Sequence, residues 1–181
     1  AIGYAYKMLK VGIYKKALVI GFEMFNRLTF EHFQSMNLLS QANEYQPFIN
    51  STGIVLGEGV GSVALSTEKN ELFPCEIFGI TTITDNENLT NSSETALRQL
   101  LTNCLAKTNL KIENIQGIKV HGVGGNSDEM EKSVLQELFP NTETILVKPY
   151  MGHTLGASGA LETTFLIEHL QKTDVKCGHF L

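Results

Sequence analysis

Two histidines stand in glycine-rich surroundings that suit chemistry: His121 opens His121-Gly122-Val123-Gly124-Gly125, and His153 lies in Gly152-His153-Thr154-Leu155-Gly156-Ala157-Ser158-Gly159. Each follows a short apolar run that reads as a strand, so each ring can point into the crevice beyond a strand's carboxyl end, where open α/β sheets place ligands. A single strand-end histidine is most often a structural residue, but two in matching settings point to function. A histidine near a helix N-terminus is pushed toward its neutral form by the positive end of the helix dipole. The neutral ring can then donate a hydrogen bond. Lys148 lies shortly before the second histidine, and Asp128 and Glu131 follow the first. Asp-x-x-Glu at a helix start is also the pattern of a capping box, a purely structural device. The three cysteines offer no clear nucleophile. Cys75 sits in a strand pattern, Cys104 follows apolar helix positions and Cys177 is near the end, so each reads as a core or incidental thiol. Cys177-Gly178-His179 presents two metal ligands, which seldom suffice.

The elements that must position these residues are legible from periodicity. Ile2, Ala5, Tyr6 and Leu9 predict a helix over Ala1 to Lys10, stopped by Val11-Gly12. Lys16 to Gly21 reads as a short strand buried on both faces. Residues 24 to 52 lack a steady period and read as short helices in a long excursion, of the kind that often carries function. Ile54 to Ser66 predicts a strand whose glycines 57, 59 and 61 suggest close backbone approach or a bulge, paired antiparallel with a second strand over Phe73 to Thr84. Helices are expected over Ser93 to Leu105, Asp128 to Phe139 and Leu155 to Leu170, with strands over Ile115 to Val120 and Thr144 to Val147. That alternation implies α/β layering around a mostly parallel sheet.

At 181 residues, with 43% hydrophobic and 18% charged residues, the chain can bury one sizeable core and is neither disordered nor fibrous. The longest apolar run, Ala17 to Phe22, is far short of the ~18 residues of a membrane span, so the chain reads as soluble, with no membrane partner. An odd number of cysteines without metal spacing fits a reducing compartment. A formal net charge of −5 argues against nucleic-acid binding. Lys7, Lys10, Lys15, Lys16 and Arg27 against Glu23 make the first 27 residues basic, either a solvated helix face or a surface for an acidic partner.

The two histidine segments resemble those of the β-ketoacyl-acyl-carrier-protein synthases, condensing enzymes with the thiolase fold. That family's motifs read His-Gly-Thr-Gly-Thr followed by Asp-x-x-Glu, and Lys-x-x-x-Gly-His-(Thr/Ser)-x-Gly-Ala-(Ala/Ser)-Gly-x-x-Glu. Here they stand as His121 to Gly125 with Asp128 and Glu131, and as Lys148, Gly152 to Gly159 and Glu162. Pro47-Phe48 with Gly53 to Gly61 resembles the segment ending Gly-Glu-Gly-Ala-Gly, and Ala1 to Ala5 resembles the helix that follows the nucleophile. The four blocks are collinear. Thr154 in place of the proline of true thiolases favours the synthase branch.

The resemblance implies a layered α-β-α-β-α fold of which this chain is an incomplete portion lacking most of the N-terminal half. Residues 1–66 would end that first half with a long insertion, and residues 67–181 would form most of the second. It implies decarboxylative condensation of malonyl carrier protein with an acyl group on a cysteine, in fatty-acid or polyketide synthesis, with no cofactor and no metal. His121 and His153 would donate to the thioester oxygen and the developing enolate. Lys148 would tune the second histidine, with Glu131 as a candidate partner, and Asp128, Glu131 and Glu162 would support the site. Thr154 and Gly125 would stand at substrate-binding positions, and Thr154 and Gly156 would shape the turn. The nucleophilic cysteine is expected a few residues before the segment matching Ala1, so this chain alone is expected to be inactive. Partners would be an acyl carrier protein and a second ketosynthase subunit, identical or not, in the cytoplasm. Two departures matter. The glycine turn is one residue shorter before Asp128, and Val123 and Gly125 replace threonines that hydrogen-bond the pantetheine amides. Losing two such bonds at ~1 kcal/mol each weakens binding by about one to two orders of magnitude. The altered motif is also compatible with a noncatalytic, chain-length-factor-like partner subunit, although such a partner has no chemical need of both histidines and the lysine.

Overall fold

The computed structural model describes residues 1–69, 75–86 and 92–172, and the backbone of 178–179. Helix α1 (Ile2–Lys10) buries Leu9 and places Lys7 and Lys10 in its last turn, where cations suit the negative end of the dipole. It stops at Val11 and at Gly12, whose φ of +79° lies in the left-handed region that glycine adopts freely. Strand β1 (Lys16–Glu23), helix α2 (Arg27–Ser35) and strand β2 (Gly59–Ser66) follow. Asn26 caps α2 by accepting from the Leu28 and Thr29 amides.

β1 pairs antiparallel with β2, from Lys16 opposite Ser66 to Glu23 opposite Gly59. The expected partner of β2, the segment from Phe73 to Thr84, forms no strand where it is described. Residues 75–86 run irregularly, and Phe73 and Pro74 lie outside the described residues. Upstream of Gly59, Ile54 and Leu56 make only single bridges, to Leu39 and His153. Nor is β1 buried on both faces: Val19 is 7% exposed, whereas Leu18 and Phe22 are 64% and 66% exposed. Successive side chains point to opposite faces, and only one face is covered.

The covering element is α6 (Ser158–Lys172), which packs on the face bearing Val19, Gly21, Gly61 and Val63. The sequence between β2 and α6 supplies α3 (Glu94–Thr108), β3 (Gly117–Lys119), α4 (Asp128–Leu138), β4 (Glu143–Ile145) and α5 (Lys148–Met151), and β5 (Gly178–His179) ends the series. β3 lies between β4 and β5, parallel to both, as the helix–strand alternation required. Ser93 caps α3 through the Ala96 amide, and Asn109 closes it in the left-handed conformation. Leu101, Ile118, Val120, Val134, Leu135 and Phe139 form the principal core between α3, β3 and α4. Leu166 of α6 meets Ile145 and Val147 on the other side. The layers are therefore α3 and α4, the parallel sheet, α6, then the β1–β2 pair, whose outer face is uncovered among the described residues.

Close approach of α6 to β1–β2 depends on glycine. A Cβ at Gly61 would lie 2.4 Å from the Leu161 backbone nitrogen, and one at Gly21 would lie 3.2 Å from the Ala160 Cβ. Among the described residues, no helix is long and apolar enough to cross a membrane.

Candidate active site

β3 ends at Lys119, and the chain continues through Val120 to His121 and a glycine turn. Gly122 and Gly124 have φ of +44° and +79°, which explains the glycines at these two positions. The turn is held almost entirely through its main chain. The fully buried Asp128 accepts from Val123 N (3.0 Å) with one oxygen and from Gly124 N (2.9 Å) and Phe48 N (3.0 Å) with the other. Glu131 accepts from His121 N (2.7 Å) and Gly122 N (3.0 Å). These carboxylates do not cap their own helix. Ser127 is the N-cap of α4, without a side-chain bond, so the capping-box alternative fails. Burial raises the Glu131 pKa, against the pull of the two amides. Tyr45, from the excursion before β2, donates its hydroxyl to Val123 O (2.9 Å). Its pKa is raised by burial and by the charges of Asp128 and Glu162, so the phenol stays a donor.

The second histidine is fixed by β-type bonds on both sides. His153 N donates to Val55 O (2.7 Å), and Gly57 N donates to His153 O (3.0 Å). Gly152 turns the chain here with a φ of +72°. Ser158 Oγ lies 3.5 Å from His153 Nδ1 and 3.1 Å from the Thr154 hydroxyl. Thr154 is fully buried with its hydroxyl against Ser158, so the structure does not present it to a substrate, contrary to the expectation from the sequence. Gly125 is half-buried at the end of the first turn.

Folding brings the two rings together, with centroids 5.5 Å apart and planes at 89°. Beneath them is a dry ionic cluster. Lys148, 1% exposed, places its ammonium 2.7 Å from His121 O and 2.8 Å from Glu162 Oε1. Lys119, 0% exposed, contacts the other Glu162 oxygen. Lys148 thus pairs with Glu162, not Glu131, because Glu131 is already committed to the His121 and Gly122 amides. Burial alone would raise the Glu162 pKa, but the two lysines outweigh it and hold the carboxylate ionised. His121 keeps an accessible edge, yet the surrounding protein, then repulsion from Lys148, His153 and Lys119, pushes its pKa down to about 3. Burial and the charge of Lys148 push His153 down to about 4. Near neutral pH both rings are neutral, and each carries one N–H. Two such donors side by side suit an oxygen on which negative charge develops.

Lys119, Tyr45 and Ser158 were not singled out from the sequence. Their partners are 43, 78 and 5 residues away, and only folding reveals the first two. Cys104 packs against the core and Cys75 is exposed, while Cys177 lies outside the described residues. A largely apolar cavity of about 380 Å³ opens among Ala1, Gly21, Ile80, Cys104, Gly156 and Ala160.

The site is thus a glycine-cradled histidine pair over a buried lysine, carried on a parallel α/β sheet. Residues 75–176 match the β-ketoacyl synthase C-terminal domain, and the chain belongs to that family. It is 30% identical over 130 residues to nodulation protein E of Rhizobium sp. strain N33, covering 66% of this chain and 32% of that protein. A β-ketoacyl synthase from Burkholderia phymatum superposes with a TM-score of 0.85 at 26% identity, covering 95% of this chain and 45% of that one. A chain from a ketosynthase in complex with its chain length factor, from Xenorhabdus doucetiae, gives 0.86 at 26% identity, covering 94% and 43%. The chain therefore has the thiolase-like ketosynthase fold and spans less than half the length of these relatives.

Proposed function

We propose that the protein containing these residues is a β-ketoacyl-[acyl-carrier-protein] synthase and that His121 and His153 are its catalytic donors. A malonyl thioester would lose carbon dioxide, and the electron pair of the broken bond would form an enolate whose oxygen accepts from the histidine N–H groups. The enolate carbon would attack the acyl thioester of a cysteine outside this chain, forming the carbon–carbon bond and releasing the cysteine thiolate. The cavity beside Ala1 and Gly156 suits an aliphatic acyl chain. Residues 1–66 would complete the first thiolase-like half and residues 67–181 most of the second. The basic surface from Lys7 to Arg27 would face an acidic acyl carrier protein, in a cytoplasmic assembly of two ketosynthase-type subunits.

The observation that carries this reading is the neutral histidine pair, 5.5 Å apart, above the buried Lys148. The test is condensation by the full-length protein with malonyl and acyl carrier proteins. Wild type should release carbon dioxide and form a 3-oxoacyl product, and His121→Ala or His153→Ala should each lower the rate by about two orders of magnitude or more. A wild-type protein that neither acylates a cysteine nor condenses would overturn it. The specific alternative is a noncatalytic chain-length-factor-like partner, favoured by one observation: Val123 and Gly125 bring no hydroxyl to the turn. In that case a co-purified ketosynthase would carry the acyl label and this protein would not.

A further inference from the structure

Two cations share one anion beneath the histidines. Lys119 and Lys148 each hold one oxygen of Glu162, and the three side chains are 0%, 1% and 1% exposed. One lysine would satisfy the carboxylate. A second ammonium in a dry interior carries a desolvation penalty, so its placement calls for a use. Lys148 has a further contact in the site, with the His121 carbonyl at 2.7 Å.

We propose that Lys119 is a positioning residue for the condensation: it neutralises Glu162, leaving the charge of Lys148 uncancelled beneath His121 and His153, so that both imidazoles stay neutral single-proton donors. The inference rests on the condensation reading for its purpose, but not for its electrostatics. Five elements bring charges to the rings. Lys119 comes from β3, Lys148 from α5 and Glu162 from α6, while Glu131 of α4 holds the His121 amide and Glu23 of β1 acts on His153. On both rings Lys148 is the stronger of the two lysine influences. Without Lys119, Glu162 and Lys148 form a self-cancelling pair, and each imidazolium forms more readily.

The experiment is histidine titration by nuclear magnetic resonance in the full-length protein, beside the pH profile of condensation. In Lys119→Met the His121 and His153 titrations should rise by roughly half a unit to one unit, and the acid limb of the profile should move the same way. Adding Glu162→Gln returns the cluster to its original net charge and should reverse both shifts, which a role in packing alone would not do. Lys119→Arg should keep wild-type titrations. Lys119→Met leaves a neutral buried pair and is expected to fold. If it does not, Glu162→Gln alone must lower the titrations further. Titrations unmoved in folded Lys119→Met, unrestored in the double variant, or raised in Glu162→Gln would overturn the proposal. Because the titration needs no turnover, a protein that shows these shifts but never condenses would refute the condensation reading alone.

Discussion

At the residue scale, the state of the two histidines sets the site's response to acid. Both have folded-state pKa values below the ordinary 6.5, so the unfolded chain takes up their protons first and stability falls as pH drops below that value. The loss continues toward about 4 for His153 and about 3 for His121, where the folded state is protonated too. The urea midpoint of the full-length protein should therefore fall between pH 7 and pH 5, and less steeply in His121→Gln/His153→Gln. Gly125 gives a second prediction. A Cβ there would meet only ordinary contacts, 3.5 Å from Val123 and 4.0 Å from Ile54, so Gly125→Thr is expected to fit. If the turn contacts pantetheine, the new hydroxyl should tighten binding of acyl carrier protein by about three- to tenfold, measured as KM in condensation. The histidines were legible in the sequence because glycine-flanked strand ends leave a local signature. Lys119 was not, because a lysine between Ile118 and Val120 looks like an outward-facing strand residue until Glu162 arrives from 43 positions away.

At the element scale, the seating of His153 depends on a strand-like tether rather than on its own helix. A Cβ at Gly57 would lie 1.9 Å from the Met151 carbonyl oxygen, so Gly57→Ala must push the 55–57 segment away from the turn that carries His153. Thermal denaturation should show a loss of about 2–4 kcal/mol, and condensation should fall although no side chain of the site has changed. The same scale explains the main misreadings. Helix positions were readable within a few residues from local periodicity. The segment from Phe73 to Thr84 has β-branched composition, yet residues 75–86 make no strand, and β2 pairs with β1 instead. Strand identity depends on a partner, and the partner of β2 lies across an excursion of more than 30 residues that has no periodic signal.

At the scale of the whole molecule, four layers account for both the site and an open surface. α6 is covered on both sides, by Val147 and Ile145 on one and by β1–β2 on the other, which keeps Glu162 dry. The outer face of β1–β2 presents Leu18, Ile20, Phe22 and Val60 at 64%, 57%, 66% and 66% exposure. Contiguous apolar surface of this kind promotes association. The 181-residue chain expressed alone should therefore self-associate with rising concentration in sedimentation runs, and Leu18→Ser/Phe22→Ser should shift it toward monomer. A monomeric wild-type chain at high concentration would contradict this.

The hold of Asp128 and Glu131 on the glycine turn has a historical consequence. All four bonds from their carboxylates to the turn are made to main-chain N–H groups of residues 121 to 124. The shape of the loop is thus inherited separately from its side chains. Gly122 and Gly124 are fixed by their backbone conformations, but position 125, and position 123 within the volume available to it, can drift from generation to generation while the loop stays folded. A lineage can in this way change what the loop presents by a single substitution, without passing through an unfolded ancestor.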